Sequence, residues 1–209
     1  MQITADADVD RTFSTIREML TDRGLDVSSL DDVTNAEVVE LSREKSVFHV
    51  DLLSCDVRIV YNMNPKFKTG DVKKVIEDWT KAPTAGEGSS SEGEVAAEKS
   101  NRQCVVVARD RPATNKGVDE LKKAQLFNVK DLLYNVTKHT SQPSFEPVRD
   151  EAEIARVKAY YKLQRLEQLP IILSTDAVAQ YLALAPGQLV RIVRKSPSAG
   201  TSVTYRCTK

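Results

Sequence analysis

Residues 169–206 read LPIILSTDAVAQYLALAPGQLVRIVRKSPSAGTSVTYR, and the change of period inside this stretch decides the fold of the chain's second half. Val178, Tyr181 and Leu182 fall on one side of a helix that starts at Ser174 or Thr175 and stops at Ala185-Pro186-Gly187. Beyond the stop, residues 189–194 and 203–207 are two β-rich runs joined by the turn-forming residues 196–202. Upstream, Asp150 and Glu153 form an acidic capping pair, and Ile154, Val157 and Tyr161 give a core stripe at spacings of three and four. These signals predict a small α+β module of roughly 60 to 70 residues, near the lower limit for independent folding. Such a module leans on a partner.

Working back toward the start, residues 139–148 contain Pro143 and Pro147 and predict a linker between a domain at 1–138 and the module at 149–209. Val9, Phe13, Ile16 and Leu20 fall on one face of a helix over 9–23, which Asp8 can cap and Gly24 can end. From Val47 to Tyr61 the period becomes two, with Phe48, Val50 and Leu52 on one face and Val57, Ile59 and Tyr61 after a break at Ser54-Cys55. Val72, Val75, Ile76 and Trp79 restore helical spacing. The acidic, Gly- and Ser-rich stretch 84–101 has almost nothing to bury and reads as a disordered insertion. Cys104 to Ala108 suits a buried strand, and a helix near 117–125 and a strand around 127–137 complete an α/β layer of about 135 residues.

Composition narrows the chemistry. Of 209 residues 41% are apolar and 29% charged, so the chain folds, but with more surface than one compact sphere would have. No run of about 18 apolar residues offers a membrane span, and the opening residues lack a basic stretch followed by an apolar block. Cys55, Cys104 and Cys207 are odd in number and far apart, with no C-x-x-C pair, which argues against a disulfide framework or zinc site and for a reduced compartment. Asn135-Val136-Thr137 matches the glycosylation sequon, but without an export signal it predicts no glycan. The 30 basic and 30 acidic residues cancel only globally: residues 1–83 carry −5 and 84–101 carry −3, while 102–138 and 139–209 carry +4 each. That asymmetry suits an acidic or anionic partner for the second half, although a solvated face has the same composition.

No catalytic constellation emerges from the chain. His49 lies in an alternating strand and His139 at the mouth of the linker, so both read as structural or surface residues rather than general bases. Phosphate-loop, dinucleotide and zinc-protease motifs are missing from the sequence. Asp51 followed by Asp56-Val57-Arg58 faintly resembles the carboxylates of a Mg²⁺-dependent nuclease, but an Arg stands where a Lys would help and a turn separates the aspartates. The loop 109–116 differs in kind: Arg109, Arg111 and Lys116, with Thr114 and Asn115, stand between a buried strand and a helix, where they can touch a phosphate backbone without reading bases. Those residues suit an ordinary solvated turn equally well.

The stretch 169–206 resembles the C-terminal assembly domain of the fifth-largest subunit of eukaryotic nuclear DNA-directed RNA polymerases, a family with an archaeal counterpart. Leu169, Pro170, Asp176, Val178, Ala179, Tyr181, Gly187, Gln188, Val190, Ile192, Arg194, Ser196, Ala199, Gly200, Tyr205 and Arg206 match the family pattern in order and without gaps. Sparser matches continue through Tyr161-Lys162-Leu163, Gln168, Thr15-Ile16 and Asp22-Arg23-Gly24. The resemblance implies an N-terminal jaw with a nuclease-like α/β fold that lacks the catalytic centre, followed by a small α+β assembly domain. It implies a non-catalytic subunit without a cofactor, because the polymerase's catalytic Mg²⁺ is held by other chains. The expected partners are the largest subunit, neighbouring small subunits and downstream double-stranded DNA, contacted without sequence preference.

Docking on the largest subunit is expected through Leu189, Val190, Arg191, Ile192, Arg194, Val203, Tyr205 and Arg206, by strand addition, since an isolated hairpin leaves unpaired edges. DNA proximity is expected at Arg109, Arg111, Thr114, Asn115 and Lys116. Departures from the pattern include Ile171, Gln180 and Pro186 in place of arginines, Ala177 in place of Pro, Ala183 in place of Gly, Pro197 in place of Glu and Phe145 in place of a linker His. Loss of three cations favours a paralogue dedicated to one nuclear enzyme, with RNA polymerase I and hence the nucleolus as the expectation. The alternatives are a free-standing adaptor and a degenerate metal-dependent nuclease on the same folds.

Overall fold

The computed structural model describes residues 2–28, 33–52, 56–65, 67–81, 103–109, 124–196 and 200–209. The chain divides into two units, Met1–Tyr134 and Asn135–Lys209. The expected insertion 84–101, Cys55 and most of the expected helix 117–125 lie outside the described residues.

In the first unit, helix α1 (Gln2–Asp22) buries Val9, Phe13, Ile16 and Leu20, the stripe that the spacing predicts. It ends where Gly24 turns to φ 78°: the Gly24 N–H donates to Thr21 O (2.9 Å) and the Leu25 N–H to Leu20 O (3.1 Å), the hydrogen-bond pair of a left-handed helix stop. Helix α2 (Asn35–Glu44) is absent from the sequence reading because it buries only Val38. Its signal is Thr34 and Glu37, which cap each other's backbone N–H. Strands β1 (Val47–Leu52), β2 (Val57–Asn62), β3 (Gln103–Ala108) and β4 (Ala124–Asn128) form one sheet in that order. The first pair is antiparallel, with Phe48 opposite Tyr61, and the next two pairs are parallel. Helix α3 (Thr69–Lys81) lays Val72 and Ile76 against Val60, Cys104 and Val106 on one face. On the other, the Phe48 and Tyr61 rings stack at 4.9 Å. Covered on both faces, β2 and β3 read as near-continuous apolar runs.

One expectation shifts here. The strand expected around 127–137 is instead β4 followed by 3₁₀ turns at Val129–Leu132 and Val136–Lys138. The cause is local: the Asn128 and Asn135 side chains accept from the N–H groups of Lys130 and Thr137, closing turns that an extended strand cannot contain.

The second unit is a four-stranded sheet in the order β5 (Ser144–Val148), β7 (Leu189–Ser196), β8 (Gly200–Thr208), β6 (Ile171–Ile172). Residues 144–148, read from the sequence as the end of a linker, are thus a strand antiparallel to β7, with Pro147 opposite Val190. Proline is tolerated there because β5 is an edge, where a missing N–H breaks no ladder bond. Helix α4 (Glu151–Tyr160), capped by Asp150 on the Ala152 N–H, packs Val157 against Leu189, Cys207 and Val148 on one face. Helix α5 (Ala177–Tyr181), shorter than its apolar pattern suggests, covers the other face, where Ala179 meets Val190, Ile192 and Ile172. Asp176 starts it by accepting from Val178 and Ala179, and Ala183, at φ 52°, ends it.

Candidate docking surface

The hairpin of β7 and β8 pairs from Leu189 opposite Cys207 to Ser196 opposite Gly200, so residues directly across share a face. Leu189, Cys207 and Tyr205 belong to the face under α4, whereas Val190 and Ile192 belong to the face under α5. Of the eight residues expected to dock, Leu189, Val190 and Ile192 are therefore core, each with no more than 4% exposure. They hold the strand in place and are not available to touch anything else. Arg191, Arg194, Val203, Tyr205 and Arg206 reach the surface.

Beside them on the α4 face lies a groove of about 610 Å³, lined by Glu153, Arg156, Tyr160 and Tyr161 from α4 and its C-terminal turn, and by Arg191, Val203 and Tyr205 from the hairpin. Tyr161, expected in the core stripe, is half exposed here. Its ring stands edge-on to Tyr160 at 4.9 Å and to Tyr205 at 6.4 Å. The Tyr205 hydroxyl donates to Glu153 Oε1 (3.3 Å), and burial followed by that carboxylate pushes its pKa above the usual tyrosine value. Arg191 Nη1 lies 3.4 Å from Glu146 Oε2, while its Nε is buried without a hydrogen-bond partner. Tyr160 and Arg156 escaped the sequence reading because an exposed aromatic one helix away carries no periodic signal; only the fold brings them to the hairpin.

Elsewhere in this unit, Asn135 of the sequon is engaged internally: its Nδ2 donates to the Tyr181 hydroxyl at 2.8 Å. A second, smaller cavity, of about 410 Å³, is lined in part by Ile171 and Pro186, two of the positions where a cation was expected from the family pattern.

In the first unit, Asp51 and Arg58 face each other across β1 and β2. Arg58 Nε and Nη2 clasp both Asp51 oxygens at 2.5 and 2.6 Å, Nη1 donates to Val75 O at 3.0 Å, and the guanidinium lies 4.7 Å from the centre of the Trp79 ring. A carboxylate held this way is neutralised by the guanidinium at both oxygens, which weakens its pull on a metal ion. Among the described residues no group of three or more His, Cys, Asp or Glu could hold a metal ion. His49 Nε2 stands 4.0 Å from Asp51, and burial, then Arg58, lowers its pKa. His139 is exposed and accepts from the Ser141 N–H through Nδ1. Arg109 is exposed at the end of β3, where its N–H donates to Asn62 O. Arg111, Thr114, Asn115 and Lys116 lie outside the described residues.

Comparison with known proteins returns one consistent answer. Residues 134–208 match the family model described as RNA polymerase Rpb5, C-terminal domain. DNA-directed RNA polymerases IV and V subunit 5B of Arabidopsis thaliana is 26% identical over 92% of this chain and 86% of its own length. DNA-directed RNA polymerase subunit Rpo5 of Methanocaldococcus jannaschii is 39% identical over 34% of this chain and 88% of its own length. DNA-directed RNA polymerases I, II, and III subunit rpabc1 of Dictyostelium discoideum is 35% identical over 52% of this chain and 57% of its own length.

Proposed function

Because the chain belongs to the Rpb5 family of RNA polymerase subunits, we propose that it is a non-catalytic subunit of a nuclear DNA-dependent RNA polymerase. Its unit Asn135–Lys209 docks on the largest subunit, and its unit Met1–Tyr134 forms part of the jaw beside downstream DNA. The observation that carries the reading is the family match over 134–208, the residues that build the four-stranded sheet and its groove. The clasped Asp51 speaks against the degenerate-nuclease alternative.

Relatives include subunits named for polymerases IV and V and subunits named for I, II and III together, so the family contains both specialised and shared forms. We assign this chain to the specialised kind, dedicated to polymerase I and therefore nucleolar. Support comes from the apolar cavity wall that Ile171 and Pro186 make where the pattern carries arginines. Affinity purification of the tagged full-length chain, with identification of its two largest partners, tests both levels. The expected partners are the two large subunits of polymerase I. Recovery of those from several polymerases would make it a shared subunit, and recovery of none would support a free-standing adaptor.

A further inference from the structure

The outer edge of β8 is open over most of its length. β6 pairs only with Cys207 and Thr208, so from Arg206 back to Gly200 no strand lies beside β8 among the described residues, except β7 on its inner side. The Cys207 N–H points outward, to Pro170 O at 3.0 Å. Main-chain direction alternates along an antiparallel strand, so Tyr205, Val203 and Thr201 present their N–H and C=O groups outward as well. They form a row of paired donors and acceptors about 14 Å long.

The neighbouring edges are blunted by comparison. β5 carries Pro147, and the Ile171 carbonyl of β6 is taken by Arg206 Nη1 at 3.0 Å. Thr201-Ser202-Val203-Thr204-Tyr205 has no Pro, Gly or charge to repel an added strand, and four of its five residues favour strands. Charge chooses the occupant. Residues 189–208 contain no Asp or Glu but carry Arg191, Arg194, Lys195 and Arg206, an excess that Glu146, paired with Arg191, and Glu153 in the groove only partly offset. A nucleic acid could satisfy those cations, yet it would leave the outward amides and the tyrosine-lined groove unused.

We propose that an extended, acidic segment of the polymerase's largest subunit adds to the outer edge of β8 along residues 201–205. One of its apolar side chains enters the groove between Tyr160, Val203 and Tyr205, and a carboxylate meets Arg156 and takes Arg191 from Glu146. The inference rests on the docking reading and specifies its geometry.

Residue-resolved hydrogen exchange on the unaltered full-length chain, free and in the purified polymerase, tests it. In the free chain Ser202 and Thr204, whose amides face β7, are protected, and Thr201, Val203 and Tyr205 exchange rapidly. In the complex these three amides are expected to slow by about 100-fold. The pair of substitutions Arg156→Glu and Arg191→Glu is expected to lower capture of the largest subunit about tenfold. A complex that contains the largest subunit while residues 201, 203 and 205 exchange as in the free chain overturns the added strand and leaves docking intact. Full capture by the charge-reversed chain overturns its acidic character. A tagged chain that captures no largest subunit overturns the docking reading and this inference with it.

Discussion

Arg58 shows how a single residue can close a possible site. Its side chain is only 11% exposed, its two-pronged contact neutralises Asp51, and its flat face lies over Trp79, so one guanidinium ties β1, β2 and α3 together. Arg58→Met is expected to destabilise the chain by about 2 to 3 kcal/mol, less than for a fully buried pair because Asp51 keeps some water. Arg58→Lys recovers only part of that, since an ammonium neither forks nor stacks; urea midpoints of the three proteins check both statements. Cys104 makes a second residue-scale prediction. Burial pushes its thiol from the ordinary 9.0 up to about 12. Between those values the unfolded chain has lost a proton that the folded chain keeps, so stability is full below about pH 9 and falls as pH rises toward 12. Cys104→Val is expected to flatten that alkaline slope in urea titrations, and the native thiol is expected to resist alkylating reagents at about pH 8 until the chain unfolds.

At the scale of elements, three helices end in the same way. Leu25 N–H reaches Leu20 O, Leu163 N–H reaches Lys158 O and Leu184 N–H reaches Ala179 O, with Gly24, Lys162 and Ala183 in turn at positive φ. Only the first has the residue that this conformation prefers. Ala183→Gly is expected to stabilise the second unit by about 1 kcal/mol, read as a rise of a few degrees in Tm. Legibility follows the same logic. Helix α1 announces itself by one burial period, and the hairpin of β7 and β8 by two β-rich runs on either side of a turn-forming stretch. Helix α2 buries only Val38, β6 is two residues long, and Pro143 and Pro147 disguise β5 as a linker. The candidate docking surface is legible in its strand and not in its groove. A run such as Leu189-Val190-Arg191-Ile192, covered on both faces, does not show which side chains remain outside, and Tyr160 arrives from an element 29 residues earlier in the chain.

For the whole molecule, the units carry opposite charge: Asn135–Lys209 has 11 basic and 6 acidic residues, and the rest of the chain makes up the balance. Under the jaw reading, Arg109, Arg111 and Lys116 are the local exception on the acidic unit. Replacing all three with Ala is expected to weaken crosslinking of the assembled enzyme to downstream duplex, most at low salt, while assembly is unchanged; unaltered crosslinking would remove this loop from the DNA path. Removal of residues 84–101 is expected to leave recovery of the largest subunit unchanged. The exposed row of amides on β8 also bears on the life of the protein before assembly. A newly made copy carries a strand edge that could just as well join its twin, because residues 201–205 hold no charge that would forbid it. Until a larger companion covers that edge, orphan copies are therefore expected to stick to one another as their concentration rises.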